Sequence, residues 1–272
     1  MHPKFILSWM KKTGGGVLRS GGDFNQRRQD GHKEYMLCSS CEGIFGKLET
    51  YFSKQIFFPV VNDQVGQFTY DERLFKFVIS ILWRYLHFEF LETEKETFSH
   101  PFIVSAEQEW RRYLLNNIHP DHFTSLHLLP KNFLLNRTGL TDHQLIRLVH
   151  YMARSSDAVV TDNCLNYSIG FIKLPRFSFI IPLAGFNQNL MSATSIQLEG
   201  GIFIDDQANS DDALIVELIM DRVRQTQTGL EGMSDVQKQK IAEVIKNQWD
   251  TLKDKDVGKV MEFAAKLINK IQ

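Results

Sequence analysis

The chain has little cysteine and almost no net charge, and each shortage limits the kinds of protein that it can be. Three cysteines among 272 residues, an odd number, do not make a disulfide framework, so a reducing cytoplasm is expected. The formal net charge of -1 points to no class of partner. No apolar run approaches the roughly 18 residues that cross a bilayer. The first residues lack the positive region and cleavage site of a signal peptide, so we expect a cytoplasmic protein without membrane contact.

The sequence also lacks the alternation of strand and helix patterns that builds a parallel sheet. It has no glycine-rich phosphate loop, and both shortages argue against a doubly wound nucleotide-binding fold. Helical patterns come first, β-branched and aromatic runs follow Asp157, and helical patterns return at the end. Two short strands are predicted around Gly200-Gly201. The order predicts a mainly helical α+β protein with a small antiparallel sheet in its second half and an irregular or hairpin-forming N-terminal segment.

The strongest helical pattern runs from residue 71 to residue 88. Its apolar positions lie on every side of the helix, which predicts a helix buried in the middle of a domain. Capping boxes, a Ser or Thr followed three residues later by Glu or Gln, predict four helix starts. They are Thr69, Ser105, Thr141 and Ser234. Residues 211–224, 234–249 and 257–271 are predicted to be helical, with a linker between the first two.

Two of the three cysteines form the motif Cys38-Ser-Ser-Cys41, just before a helical pattern predicted to begin at or just after Cys41. Three interpretations stay open: a redox couple at a helix N-terminus, two buried thiols, or half of a zinc knuckle. A thioredoxin-type couple follows a strand in a βαβ unit, which this sequence does not show. The zinc interpretation is favoured. It needs further ligands, for which the upstream segment offers only His2 and His32.

The first 35 residues are locally basic, with seven Lys or Arg against three acidic residues. A flexible basic segment of this kind favours contact with a phosphate backbone. The residues predicted to contact nucleic acid are Lys11, Lys12, Arg19, Arg27 and Arg28. The alternative interpretation is a solvated loop.

Several elements of the sequence carry a resemblance to a known family. They are HPKFILSWMKKTGG from His2, CSSCEGIFGKLETYF from Cys38, YDERLFKFVISILWRYL from Tyr70, WRRYLL from Trp110 and SDVQKQKI from Ser234. The chain resembles a family of mostly uncharacterised bacterial proteins with an HNH-like treble-clef N-terminus. In that family a C-x-x-C pair and a Ser-His dipeptide precede the first element. Both would lie before Met1, so this sequence is expected to start inside the motif.

The resemblance implies a partial treble-clef, zinc-knuckle-like segment at residues 1–58. We expect an α+β core domain at 59–225 and C-terminal helices at 226–272 packed on that core. Zinc would be held in an incomplete site by Cys38, Cys41 and His2.

The same resemblance implies association with DNA or RNA. A nuclease of this type needs a histidine base and a divalent metal. The family's histidine has no counterpart here, so the resemblance does not extend to catalysis and no catalytic residue is assigned. The expected function is nucleic-acid association, and the alternative is a non-enzymatic structural or protein-interaction module.

Overall fold

The computed structural model describes residues 2–19, 23–29, 31, 36–92, 101–129, 139–163, 167–185, 188–204 and 213–268. The chain divides into two compact units. Unit 1 comprises Lys33–Lys131 and Ser156–Asp211, and unit 2 comprises His2–His32, Asn132–Ser155 and Asp212–Gln272. Each unit therefore draws on distant parts of the sequence. The predicted domain boundaries after residues 58 and 225 stay predictions.

The described residues form α-helices and short β-strands. The α-helices are α1 (Lys4–Thr13), α2 (Ser39–Phe52), α3 (Phe58–Val61), α4 (Glu72–Glu92), α5 (Pro101–Asn116), α6 (Asp142–Arg154), α7 (Ala213–Glu231), α8 (Asp235–Asn247), α9 (Trp249–Leu252) and α10 (Asp256–Ile268). The strands are β1 (Leu18–Arg19), β2 (Arg27–Arg28), β3 (Gln67–Asp71), β4 (Leu126–Leu129), β5 (Asp157–Asn163), β6 (Tyr167–Leu174), β7 (Phe177–Ala184), β8 (Ser195–Ile196) and β9 (Gly200–Ile204). Helices dominate and the sheets are small and antiparallel, which confirms the predicted α+β class. The zinc-knuckle character of the N-terminal segment stays a prediction.

The main sheet of unit 1 has five antiparallel strands in the order β5-β6-β7-β4-β8. The strands β5, β6 and β7 follow one another along the chain as a meander. The strand β4 comes from earlier in the sequence and pairs with β7 on one side and β8 on the other. A separate two-stranded sheet joins β3 to β9, with Phe68 opposite Phe203.

The helix α4 lies in the core of unit 1, as its all-round apolar pattern predicts. Leu74, Phe77 and Leu82 have no exposed surface. A Cβ atom at Gly170 of β6 would lie 2.7 Å from Leu82 Cδ1, so the helix packs directly against this strand. The Phe77 ring stacks on Phe52 of α2, with 4.1 Å between the ring centroids. No helix in the described ranges, α4 included, is long and apolar enough to cross a membrane.

Unit 2 contains the helix α6, which packs against α7 and α10. Its start shows the predicted capping box: Thr141 Oγ1 accepts from Gln144 N–H at 3.3 Å, and Gln144 Oε1 accepts from Thr141 N–H at 2.9 Å. At the other end of α6, the Arg154 guanidinium donates to Met10 O and to Thr13 Oγ1 of α1. The last turn of α6 therefore holds α1 in place.

Three local predictions about helices need correction. The lead-in, predicted to be irregular or hairpin-forming, does contain the antiparallel pair of β1 and β2, but it also contains α1, which buries Ile6 and Trp9. Ser105 does not start a helix, because α5 already begins at Pro101. The segment predicted as a linker before residue 234 is helical, since α7 continues to Glu231.

Two predictions about the β3–α4 region and the late strands also need correction. Thr69 does not cap α4, because it pairs with Ile202 in the β3–β9 sheet and the helix begins at Glu72. The two strands predicted around Gly200-Gly201 exist as β8 and β9, but they belong to different sheets. Pairing with strands far away in sequence decides both outcomes.

Candidate thiol pair and arginine ribbon

Cys38 and Cys41 lie together at the N-terminus of α2 in unit 1. Cys38 is the N-cap residue, and its carbonyl oxygen accepts a helical hydrogen bond from Glu42 N–H at 3.0 Å. Cys41 stands in the first turn, which brings the two sulfur atoms to 3.3 Å from each other. The helix begins at Ser39, earlier than predicted, because the N-cap falls on the first cysteine of the motif. The two thiols therefore lie together at the start of a helix, as two ligands of one metal ion must.

The surroundings of the two sulfurs move their pKa values apart. The Ser40 hydroxyl lies 3.0 Å from Cys38 Sγ, and hydrogen bonding to it lowers the pKa of the Cys38 thiol to about 7. The hydrogen bond shared with Cys38 raises the pKa of the Cys41 thiol. Cys38 therefore carries a substantial thiolate fraction near neutral pH, and the thiolate is the form that binds metals.

The thiol pair supplies two of the four positions of tetrahedral zinc. His2, the predicted third ligand, belongs to unit 2 and precedes Pro3, the N-cap residue of α1, while His32 falls outside the described residues. Within the described part of the chain, no group of three or more His, Cys, Asp or Glu side chains is placed to hold a metal ion. Zinc binding and the participation of His2 stay predictions.

The five basic residues predicted to contact nucleic acid all lie in unit 2. Lys11 and Lys12 occupy the last turn of α1. The three arginines lie on the two-stranded sheet of β1 and β2, where Arg19 of β1 is paired with Arg27 of β2, and Arg28 with Leu18. We call Arg19, Arg27 and Arg28 the arginine ribbon.

Two of the five basic side chains, those of Lys11 and Arg19, have partners that give them a positioning role, and Arg28 donates to Gln26 Oε1, two residues earlier, at 3.4 Å. Lys11 Nζ donates to Gln29 O at 2.8 Å, just after β2. The Arg19 guanidinium donates to Phe24 O and, at 3.2 Å, to Gln237 Oε1 of α8. The other three basic side chains are exposed. They present their charge to solvent on a segment that Lys11 and Arg19 hold in place.

Arg19 and Arg27 occupy directly opposed positions in the arginine ribbon. Like charges in such cross-strand pairs destabilise a sheet. Partial burial lowers the pKa of Arg19, and repulsion by the charge of Arg27 lowers it further. An anion bound beside the pair would offset this repulsion, because both guanidinium groups donate hydrogen bonds to oxyanions.

Asn25 connects the turn of the ribbon to the start of α8. Its backbone N–H donates to Asp23 Oδ1 at 2.9 Å, which shapes the turn. Its side-chain Oδ1 accepts from Ser234 N–H at 2.8 Å, and its Nδ2 donates to Gly232 O at 3.2 Å. Sequence analysis identified Ser234 as a helix cap, but gave no sign that a residue more than 200 positions away binds its backbone.

A polar cluster at the N-terminus of α4 was missed by sequence analysis. Glu72 accepts a hydrogen bond from Tyr113 Oη at 2.5 Å and forms an ion pair with Lys76 at 2.6 Å. Lys76 Nζ also donates to Asn117 Oδ1 at 2.5 Å. Burial raises the pKa of Tyr113, and its hydrogen bond to Glu72 raises it further. Because these groups satisfy one another, the cluster serves to lock α4 to α5.

The histidines between α5 and β4 do not converge. His122 Nδ1 lies 3.1 Å from Glu109 Oε1. His127 is buried, and its Nδ1 lies 3.1 Å from Met191 O. The His119 ring packs against the Tyr113 ring, with 5.0 Å between the ring centroids. Each of the three rings therefore has its own partner within unit 1, and within the described residues they do not form a metal site.

Comparisons with protein-family models, with curated proteins and with solved structures find no match for this chain. A functional assignment must therefore come from its own side chains. Within the described residues, the thiol pair and the arginine ribbon each bring exposed, chemically active groups together. The first has the chemistry of a soft-metal or disulfide site, and the second that of a phosphate site.

Proposed function

We propose that this protein associates with nucleic acid through phosphate contacts made by the arginine ribbon. The observation that carries the proposal is the exposed pair Arg27–Arg28 on β2, with Arg19 opposed to Arg27. A phosphate bound beside Arg19 and Arg27 would replace the repulsion between their charges with charge-assisted hydrogen bonds. Lys12 adds a further exposed charge in the same unit. Phosphate contacts position a protein without reading sequence, so the proposal covers DNA and RNA alike.

We also propose, in line with the HNH-like resemblance, that Cys38 and Cys41 supply zinc ligands of a partial treble clef. The support is the convergence of two exposed or half-exposed thiols at the start of a helix. Zinc bound there has a structural role, since a metal that binds only the folded chain adds its binding free energy to folding. The proposal assigns no catalytic residue.

Nucleic-acid association is tested by fluorescence anisotropy with a labelled DNA duplex and a labelled single-stranded RNA. Affinity is expected to fall steeply between about 50 mM and about 200 mM salt, because binding releases counterions from the phosphates. The variant Arg27→Glu/Arg28→Glu is expected to bind more weakly at every salt concentration. Its matched control is Lys255→Glu/Lys266→Glu, which makes the same change in charge at exposed positions of unit 2.

The control variant is expected to keep the wild-type dependence on salt. Undetectable binding of the wild type to both probes at about 50 mM salt would remove the proposal. Equal losses of affinity in the two double variants would show that overall charge explains the effect and that the arginine ribbon has no specific role.

Zinc is tested by metal titration against a chromophoric chelator, followed by metal analysis after desalting. The wild type is expected to bind zinc weakly and to lose it on desalting, because two thiolates leave the coordination shell open. Cys38→Ser/Cys41→Ser is expected to bind none. Equal zinc binding by the two proteins would contradict the assignment of these ligands.

A further inference from the structure

The thiol pair is accessible from solvent. Cys38 is exposed and Cys41 is partly exposed, and neither is in a disulfide. The residues from Ser39 to Ile44 around them are exposed or half-exposed. A Cβ atom added at Gly43 or at Gly46 would meet nothing within 4 Å, so the surface beside the pair is open. A small molecule can therefore reach both sulfurs.

The geometry of the pair is close to that of a disulfide. The sulfurs are 3.3 Å apart, and a disulfide brings them to about 2.05 Å. The two sulfurs must therefore approach each other by about 1.3 Å to form the bond. Cys38 is the N-cap residue, and its backbone is extended rather than helical (φ -78°, ψ 162°).

We propose that Cys38 and Cys41 form a thiol–disulfide exchange site for low-molecular-weight disulfides. Cys38, the more exposed thiol, attacks as its thiolate one sulfur of the small disulfide. A mixed disulfide forms on Cys38, and the first small thiolate leaves and takes up a proton. Cys41 then loses its proton and attacks the Cys38 sulfur, which forms the Cys38–Cys41 disulfide and releases the second small thiol. Two protein thiols are oxidised, and one small disulfide is reduced to two thiols.

This activity goes beyond the proposed structural role of zinc, and the two states exclude each other. A disulfide has no thiolate to offer a metal, and a metal-bound thiolate pair is withheld from exchange. The exchange reaction is therefore measured with a chelator present, so that its result does not depend on whether zinc binds.

The test incubates the reduced full chain with glutathione disulfide, quenches with acid and measures intact mass and disulfide-linked peptides. The background is Cys164→Ser, which removes the third cysteine of the chain. This protein is expected to lose both remaining thiols, to keep no glutathione and to show a Cys38–Cys41 linkage. With Cys41→Ser added, a stable glutathione adduct on Cys38 is expected. With Cys38→Ser added instead, the adduct on Cys41 is expected to form more slowly, because that thiol is less exposed.

Two results would overturn the proposal. One is a glutathione adduct that persists on Cys38 when Cys41 is present, since the second thiol would then fail to resolve it. The other is retention of both thiols under conditions that oxidise dithiothreitol. Circular dichroism of each variant before the reaction checks that the serine substitutions leave the fold intact, and the main result uses a protein in which both thiols are native.

Discussion

The guanidinium of Arg154 lies over the indole ring of Trp9, with its central carbon 5.2 Å from the ring centroid. The same group donates to two oxygens of α1, so one buried side chain joins α6 to α1. Gly14 follows α1 directly, and a Cβ atom there would lie 2.2 Å from Arg154 Nη2. The glycine therefore leaves the space in which the arginine fits.

Replacement of this arginine is the first prediction. Arg154→Met keeps much of the aliphatic stem but removes the hydrogen bonds, and is expected to lower the free energy of unfolding by about 1.5–3 kcal/mol, the usual worth of hydrogen bonds to a charged group. The exposed Arg224 gives the matched control, since Arg224→Met is expected to change stability by less than about 0.5 kcal/mol. Urea unfolding measures both, and equal losses would contradict the anchoring role of Arg154.

The second prediction concerns Trp83 in the core of unit 1. Its side chain is 5 % exposed, and its indole N–H donates to Glu107 Oε1 at 2.9 Å. Trp83→Ala is expected to destabilise the protein by about 3–5 kcal/mol, because it leaves a cavity. Trp83→Phe is expected to cost less, since it removes the hydrogen bond but keeps a ring. Phe102, which is 47 % exposed, gives the control: a loss on Phe102→Ala as large as that on Trp83→Ala would contradict this account.

The third prediction concerns pH, through Lys173. This lysine of β6 has no exposed surface, and its Nζ donates to Leu174 O and, at 3.2 Å, to Phe177 O. Burial lowers its pKa from 10.5 to about 7. Between these two values the unfolded chain holds a proton that the folded chain does not. Stability is therefore expected to rise with pH in this window, by up to about 1.4 kcal/mol per pH unit.

The variant Lys173→Met is expected to lack this rise. The free energy of unfolding is measured between pH 7 and pH 9 for the wild type, Lys173→Met and Lys54→Met, an exposed lysine of unit 1. Lys54→Met is expected to follow the wild type. A rise in Lys173→Met as steep as in the wild type would show that the folded protein keeps this lysine protonated.

The fourth prediction separates the shape of the arginine ribbon from its charge. Asn25→Ala removes both side-chain bonds to the start of α8 and leaves every cation in place. The affinity for nucleic acid is expected to fall by up to about tenfold, or about 1.4 kcal/mol. The dependence of affinity on salt is expected to stay unchanged, because no phosphate contact is lost. Asn247→Ala, at the exposed end of α8, is the control and is expected to bind as the wild type does; a flatter salt dependence in Asn25→Ala would contradict the prediction.

Sequence patterns that span only a few residues were enough to predict part of the fold. The buried helix α4 follows from its all-round apolar pattern, and the Thr141 capping box forms as its spacing predicts. The same capping pattern at Thr69 fails, because that residue pairs with Ile202 in a strand more than 130 positions away. A local motif cannot show that a distant strand competes for the same backbone.

In the candidate sites too, local sequence predicts some features and not others. The spacing of Cys38 and Cys41 is local, so their convergence at a helix start could be predicted. The opposition of Arg19 and Arg27 and the bonds of Asn25 depend on a turn and on a helix near the other end of the chain. Sequence composition showed that the segment is basic, but not which of its charges are already engaged.

The place of β4 in the main sheet, between β7 and β8, predicts an order of events during folding. The meander β5–β6–β7 closes only short loops, whereas β4 must bring His127 to Ile180 across a long stretch of chain. Short loops close at lower entropic cost, so the meander is expected to form first and to serve as the template on which β4 docks. Pulse-labelled hydrogen exchange would then protect the amides of β6 and β7 before those of β4. Among the described strands, β8 pairs with the main sheet through β4 alone, so this edge is expected to be the last part of the sheet to form.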